Sequence, residues 1–150
     1  MTMQIASLEE LKQYIKKNLI PQLTPKTVVL LEGEMGVGKT QFVKLFCEQF
    51  GCDREVSSPT FSIIQEYPSA LGTIHHVDLY RIESNEELEN TGFWEIFSKP
   101  KGIIFIEWPQ KMDESRIPKS WKVFKIKYDF LDQSSGPNII DKRRIELTLP

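Results

Sequence analysis

Two stretches of the chain are apolar without interruption, Thr27-Val-Val-Leu-Leu31 and Ile103-Ile-Phe-Ile106. Runs of this length and β-branched content predict strands buried on both faces, the kind found in the middle of a parallel sheet. Elsewhere the pattern is periodic. Ser7-Leu-Glu-Glu10 is a capping box, and Leu8, Leu11, Ile15 and Leu19 follow at helical spacing, so an amphipathic helix is expected over 8–18, closed by Pro21 and Pro25. Phe42, Val43, Leu45, Phe46 and Phe50 predict a second helix from Gln41 to Phe50 with Gly51 as its C-cap. Ser84-Asn-Glu-Glu87 opens a third, short helix that stops near Gly92. Strands over 60–67 and 73–80 flank a turn with Pro68, Ser69 and Gly72, hence a hairpin. In the tail Phe124, Ile126 and Tyr128, then Ile145, Leu147 and Leu149, alternate with polar residues and predict an antiparallel pair joined across 129–142. No repeat or linker interrupts the pattern. One α/β domain over residues 1–150, a mixed β-sheet with flanking helices and a C-terminal antiparallel hairpin, is the expected fold.

Charge narrows the partners. The net charge is −2 and the pI near 5.8, whereas a domain that grips nucleic acid by itself shows a basic face and a high pI. The basic clusters Lys142-Arg143-Arg144 and Lys119 to Lys127 read as solvated strand edges, since lysine alternates there with apolar residues. Direct nucleic-acid binding is therefore disfavoured, DNA included. No run approaches the roughly 18 apolar residues of a membrane span, and the N-terminus lacks a signal-peptide pattern, so a cytoplasmic address is expected. Cys47 and Cys52 suit a reducing compartment, and with His75 and His76 they match no zinc spacing.

Gly33-Glu-Met-Gly-Val-Gly-Lys-Thr40 fits G-x-x-x-x-G-K-S/T, with a buried strand just before it and a helix just after. Glycines let successive amide hydrogens point into one concavity, and the helix start adds its positive end there. Gly33, Glu34, Met35, Gly36, Val37, Gly38, Lys39, Thr40 and Gln41 are thus the expected ATP-phosphate cradle. Lys39 faces the β and γ phosphates, and the Thr40 hydroxyl is a Mg2+ ligand. The domain is accordingly expected to be P-loop NTPase-like.

Such a loop needs a carboxylate at a neighbouring strand end. Glu107 follows four apolar residues and Asp78 ends Ile74-His-His-Val-Asp78; either could serve the metal or a water, or be a solvated strand end. Thr60, after Ser57-Ser-Pro59, can reach a metal or phosphate as in switch segments, or cap a strand. His75 and His76 point to opposite faces of their strand, and a strand histidine is more often structural than catalytic. Trp108 can stack on a base or a partner, or pack.

Four segments in order, Gly33–Thr40, Ser58-Pro-Thr-Phe61, His76-Val-Asp-Leu-Tyr-Arg81 and Ile106-Glu-Trp-Pro109, resemble the bacterial TsaE (YjeE) family from about residue 5 to residue 118. The resemblance implies a P-loop ATPase, dependent on ATP and Mg2+, that assists threonylcarbamoyladenosine synthesis beside the anticodon of certain transfer RNAs. It implies docking on a TsaB–TsaD complex, with tRNA met only indirectly and no membrane. On it, Lys39 contacts phosphate, Thr40 and Glu107 serve the metal site, and Asp78 is a functional carboxylate near them. Lys39, Glu107 and Asp78 are the catalytic candidates; Thr60 belongs to the switch-like segment, and Trp108 lies near the nucleotide. Val37 and Gln110 depart from the alanine and glutamate frequent in the family, and the tail from Trp121 matches no motif. Two alternatives stay open: a small-molecule or nucleotide kinase using the same loop, and a nucleotide-dependent scaffold that does not hydrolyse.

Overall fold

The structure, a computed structural model, describes residues 2–52, 63–131 and 142–150. One seven-stranded mixed sheet runs through it in the order β1-β7-β6-β2-β5-β4-β3. The strands are β1 (Thr2–Ile5), β2 (Lys26–Glu32), β3 (Ile64–Ser69), β4 (Gly72–Asp78), β5 (Gly102–Glu107), β6 (Lys122–Phe130) and β7 (Arg143–Thr148). β2 and β5 are the two uninterrupted apolar runs, paired in parallel, with β4 parallel to β5 and β6 parallel to β2. Lying mid-sheet with both faces covered, they bury Val28, Val29, Leu30, Ile104, Phe105 and Ile106 completely.

The pleat sorts side chains to two cores. On one face Val29, Leu31, Phe105 and Ile74 meet α1 (Leu8–Tyr14) and α2 (Lys39–Glu48) through Leu11, Phe42 and Phe46. On the other, Val28, Leu30, Ile104, Ile106 and Val77 meet α3 (Asn85–Asn90) and the 3-10 segment Phe93–Ser98 through Leu88, Phe93 and Phe97.

Both capping boxes form. Ser7 Oγ accepts from Glu10 N–H at 3.1 Å while Glu10 accepts from Ala6 N–H at 2.7 Å. Ser84 and Glu87 repeat the exchange, each bond 3.1 Å, and Gly92 turns the chain at φ 79°. The first helix differs from the expected 8–18. It passes into a π-helical stretch Ile15–Leu19 and a 3-10 turn Ile20–Gln22 that runs through Pro21. Pro21 is tolerated because it stands in the first turn of that segment, where its missing N–H has no helical partner to lose. The hairpin over 73–80 and its partner are β4 and β3, shifted by a few residues; positions 60–62 lie outside the described residues. β6 and β7 pair antiparallel as expected, Phe130 opposite Arg143. β1, an edge strand on β7, was not foreseen. Among the described residues no helix is long and apolar enough to cross a membrane.

Candidate functional site

Register brings the chemistry to one place. β2, β4 and β5 run in parallel, so their C-terminal ends lie side by side, with Asp78 and Glu107 opposite one another. The chain leaves β2 through the glycine loop and enters α2 at Lys39. Ligand sites of open α/β sheets form at such carboxyl ends.

The loop's conformation needs its glycines. Gly38, the N-cap of α2, has φ 119°, and a Cβ there would lie 2.9 Å from the Tyr128 ring. At Gly33 a Cβ would lie 2.4 Å from the Tyr128 carbonyl oxygen, so β6 packs directly on the loop backbone. Val37 N–H donates to Glu34 O at 3.2 Å, but the N–H groups of Gly36, Gly38, Lys39 and Thr40 meet no acceptor among the described residues. These are the unpartnered donors of a helix start, and an anion is their natural partner.

Lys39 is 4% exposed and folds back over the loop. Its Nζ donates to Gly33 O at 2.5 Å and lies 4.0 Å from the centroid of the Trp108 ring. Burial holds its ammonium below the ordinary lysine value, while the charges of Glu107 and Asp78 pull it back up. Trp108 has φ 58°, a left-handed conformation uncommon outside glycine, and its ring sits 5.0 Å from that of Tyr80.

Glu107 is 4% exposed, and its Oε2 accepts from Thr40 Oγ1 at 3.2 Å and from His76 Nε2 at 2.5 Å. Asp78 is half-buried and accepts at Oδ1 from Tyr80 N–H at 2.9 Å. Burial raises its carboxyl above the usual aspartate range; the Tyr80 N–H works against this and the charge of Glu107 adds to it. Thr40, Glu107 and Asp78 thus gather beside Lys39, with Trp108 on the ammonium. Glu34, Met35, Gly36, Val37 and Gln41 complete the loop and the first helical turn. Thr60 lies outside the described residues.

Two residues at the site were not foreseen as part of it. His76 falls on the α2 face of β4, and only the register β4·β5 reveals that this face holds Glu107. Arg143, expected on a solvated edge, instead donates from Nε to Val37 O at 2.9 Å and stacks its guanidinium 4.2 Å over the Phe130 ring. Neighbouring Lys125 and Arg144 do pair at the surface, with Glu114 at 3.2 Å and Asp129 at 3.6 Å.

The loop separates two openings. A cleft of about 690 Å³ lies along Gly33, Glu34, Trp108, Pro109 and Gln110. A recess of about 290 Å³ borders Leu8, Leu11, Gly38, Gln41, Tyr128 and Arg143.

A family model described as "Threonylcarbamoyl adenosine biosynthesis protein TsaE" matches residues 5–136. The chain belongs to the TsaE family. A TsaE of Rickettsia felis, named a tRNA threonylcarbamoyladenosine biosynthesis protein, is 34% identical over 88% of the chain and 75% of its own length. The Bacillus subtilis TsaE of the same name is 42% identical over 60% of the chain, which spans only about half (55%) of that relative. In three dimensions the crystal structure of Bacillus subtilis YdiB superposes with a TM-score of 0.66 at 25% identity, covering 99% of the chain and 84% of that structure. The TsaE match runs from β1, across the loop, Asp78 and Glu107, and past β6.

The donor set suits Mg-ATP. Among the described residues no three of His, Cys, Asp and Glu gather to hold a metal alone. Mg2+ needs no such cage, since it keeps waters and takes phosphate oxygens with one or two protein ligands. Thr40 and Glu107, with Asp78 on the neighbouring strand, are the residues that would offer such a partial shell.

Proposed function

We propose that the chain is an ATP-binding and ATP-hydrolysing subunit of tRNA threonylcarbamoyladenosine modification, acting in the cytoplasm on a TsaB–TsaD type complex. Family membership supports the pathway. The observation that carries the ATPase reading is the hydrogen bond from Thr40 on α2 to Glu107 on β5, at the mouth of a loop whose N–H donors meet no acceptor among the described residues. The cradle would take the β and γ phosphates, and Lys39, released from Gly33 O, would follow the γ oxygens. The recess beside Gly38 and Gln41 offers room for the base. Mg2+, held by Thr40 with Glu107 and Asp78 beside it, would neutralise phosphate charge as the terminal bond breaks. Glu107 would accept a hydrogen bond from the attacking water and hold it in line. The slightly acidic net charge of −2 fits a subunit whose partners carry most of the RNA.

The test is phosphate release from Mg-ATP by the purified chain, alone and with TsaB and TsaD, in wild type and Lys39→Ala. Free phosphate that depends on Lys39 is expected. A phosphorylated small molecule in place of free phosphate would make it a kinase. Binding without turnover in every condition would make it a scaffold.

A further inference from the structure

His76 is fully buried on β4, and Glu107 beside it is 4% exposed. Its Nε2 lies 2.5 Å from Glu107 Oε2, and its Nδ1 is buried without a partner among the described residues. Buried polar groups are normally satisfied, so a ring with one nitrogen satisfied would be a poor choice for filling a core. Among the described residues the ring's one hydrogen-bonding contact is the site carboxylate. A carboxylate oxygen only accepts, so Nε2 is the donor. The same oxygen accepts from Thr40 Oγ1 at 3.2 Å. Two donors, from a strand and from a helix, hold one oxygen and thereby fix the rotation of the whole carboxylate, leaving Oε1 outside both contacts.

We propose that His76 is the positioning residue of this site: its Nε2–H clamps Glu107 Oε2 against Thr40 so that the carboxylate is already aligned when Mg-nucleotide arrives. His76 acts through Glu107 and touches neither nucleotide nor metal. The idea rests on the Mg-ATP reading above. Removing such an outer partner of a metal site typically costs about 10-fold to 100-fold in metal affinity or activity.

The experiment uses the full chain as wild type, His76→Ala, His76→Gln, Glu107→Ala and the Glu107→Ala/His76→Ala double variant. ADP affinity is measured by calorimetry with and without Mg2+, beside phosphate release and a thermal melt. His76→Ala should leave Mg-free ADP binding unchanged and cut the gain from Mg2+ by about tenfold or more. His76→Gln should restore most of that gain, because its amide N–H reaches about as far as Nε2. In the Glu107→Ala background the histidine substitution should cost nothing further, since a clamp without its carboxylate has nothing to hold. A Mg2+ gain untouched in His76→Ala, or an equal loss in both backgrounds, overturns the proposal. If the alanine variant does not fold, His76→Phe fills the space without a donor and is compared with His76→Gln in its place. A wild type that gains affinity from Mg2+ but never releases phosphate overturns the hydrolysis reading alone. A wild type without any Mg2+ gain overturns both.

Discussion

On the face of the sheet covered by α1 and α2, strands β4 and β5 present Ile74, His76 and Asp78, and Phe105 and Glu107; on the opposite face the same strands present His75 and Val77, and Ile104 and Ile106. Both faces bury a continuous apolar core. Among the described residues, the first ends in two carboxylates, Asp78 and Glu107, beside the helix that leaves the glycine loop with the Thr40 hydroxyl and the Lys39 ammonium. A strand's period of two therefore divides labour: one residue's shift along β4 separates a histidine that touches the site from one buried on the opposite face. Substitutions on the first face should register as lost chemistry, and those on the second as lost stability.

The sharpest test of that division is Glu107→Ala. It removes the acceptor shared by Thr40 and His76. Phosphate release should fall about 10²-fold to 10⁴-fold, the range for a positioned acid–base group, with Mg-free ADP binding retained. Hydrolysis at the wild-type rate would show that the α2 face does not hold the chemistry.

The opposite face is probed by Phe93→Ala. Phe93 is fully buried against Trp94 and Phe97, ring centroids 4.8 and 5.6 Å away. Urea unfolding should report a loss of about 3–5 kcal/mol, while ADP affinity of the folded fraction stays within about twofold of wild type, as distant sites act independently. A large affinity loss with unchanged stability would reverse the assignment of the two faces.

A smaller effect is expected from Gly38→Ala. The new Cβ would meet the Tyr128 ring at 2.9 Å in a backbone held at φ 119°. Strain of about 1–3 kcal/mol should appear, chiefly as weaker nucleotide binding, since the loop can relax only by turning its N–H groups out of the cradle. Unaltered affinity in calorimetry would mean that the cradle does not depend on this geometry.

How far the site could be read in advance follows the same division. The uninterrupted runs of β2 and β5, the two capping boxes and the glycine loop are local patterns: the runs became the strands expected and each capping box opened a helix, though the first gives way to π geometry after Tyr14. That Glu107 and Asp78 would end neighbouring strands beside the loop was legible, because Glu107 follows an apolar run and Asp78 ends Ile74-His-His-Val-Asp78. β1 was not, since Thr2–Ile5 buries Ile5 alone and owes its extension to pairing with β7. The 3-10 segment Phe93–Ser98 has no periodic signature either; its shape comes from packing three aromatic rings under β5. His76 needed the sheet's register before its face had a meaning. Arg143 needed even more, for it reaches a carbonyl 106 positions earlier, and nothing local distinguishes it from the paired surface cations around it.

The last and smallest difference lies between the two histidines themselves. His75 is buried on the far face, where β3 places Glu66 opposite it; Nε2 lies 3.3 Å from Glu66 Oε1, off the line of a hydrogen bond. Burial holds its pKa below the ordinary imidazole value, Glu66 opposes this, and the charge of Lys99 adds to it. The folded state thus binds fewer protons here than the unfolded chain does, so stability rises with pH through this window. The contribution is fully present above the unfolded value of about 6.5 and is lost as pH falls from there through the depressed folded value. His75→Gln removes the titrating ring while keeping a polar side chain. Melting temperatures taken between about pH 7 and about pH 5, across the ordinary imidazole range, should therefore fall less steeply in the variant than in wild type, with Mg-nucleotide binding unchanged at neutral pH. Equal slopes would mean that His75 does not carry this pH dependence. A change in Mg-nucleotide binding would mean that the two faces of β4 are not independent.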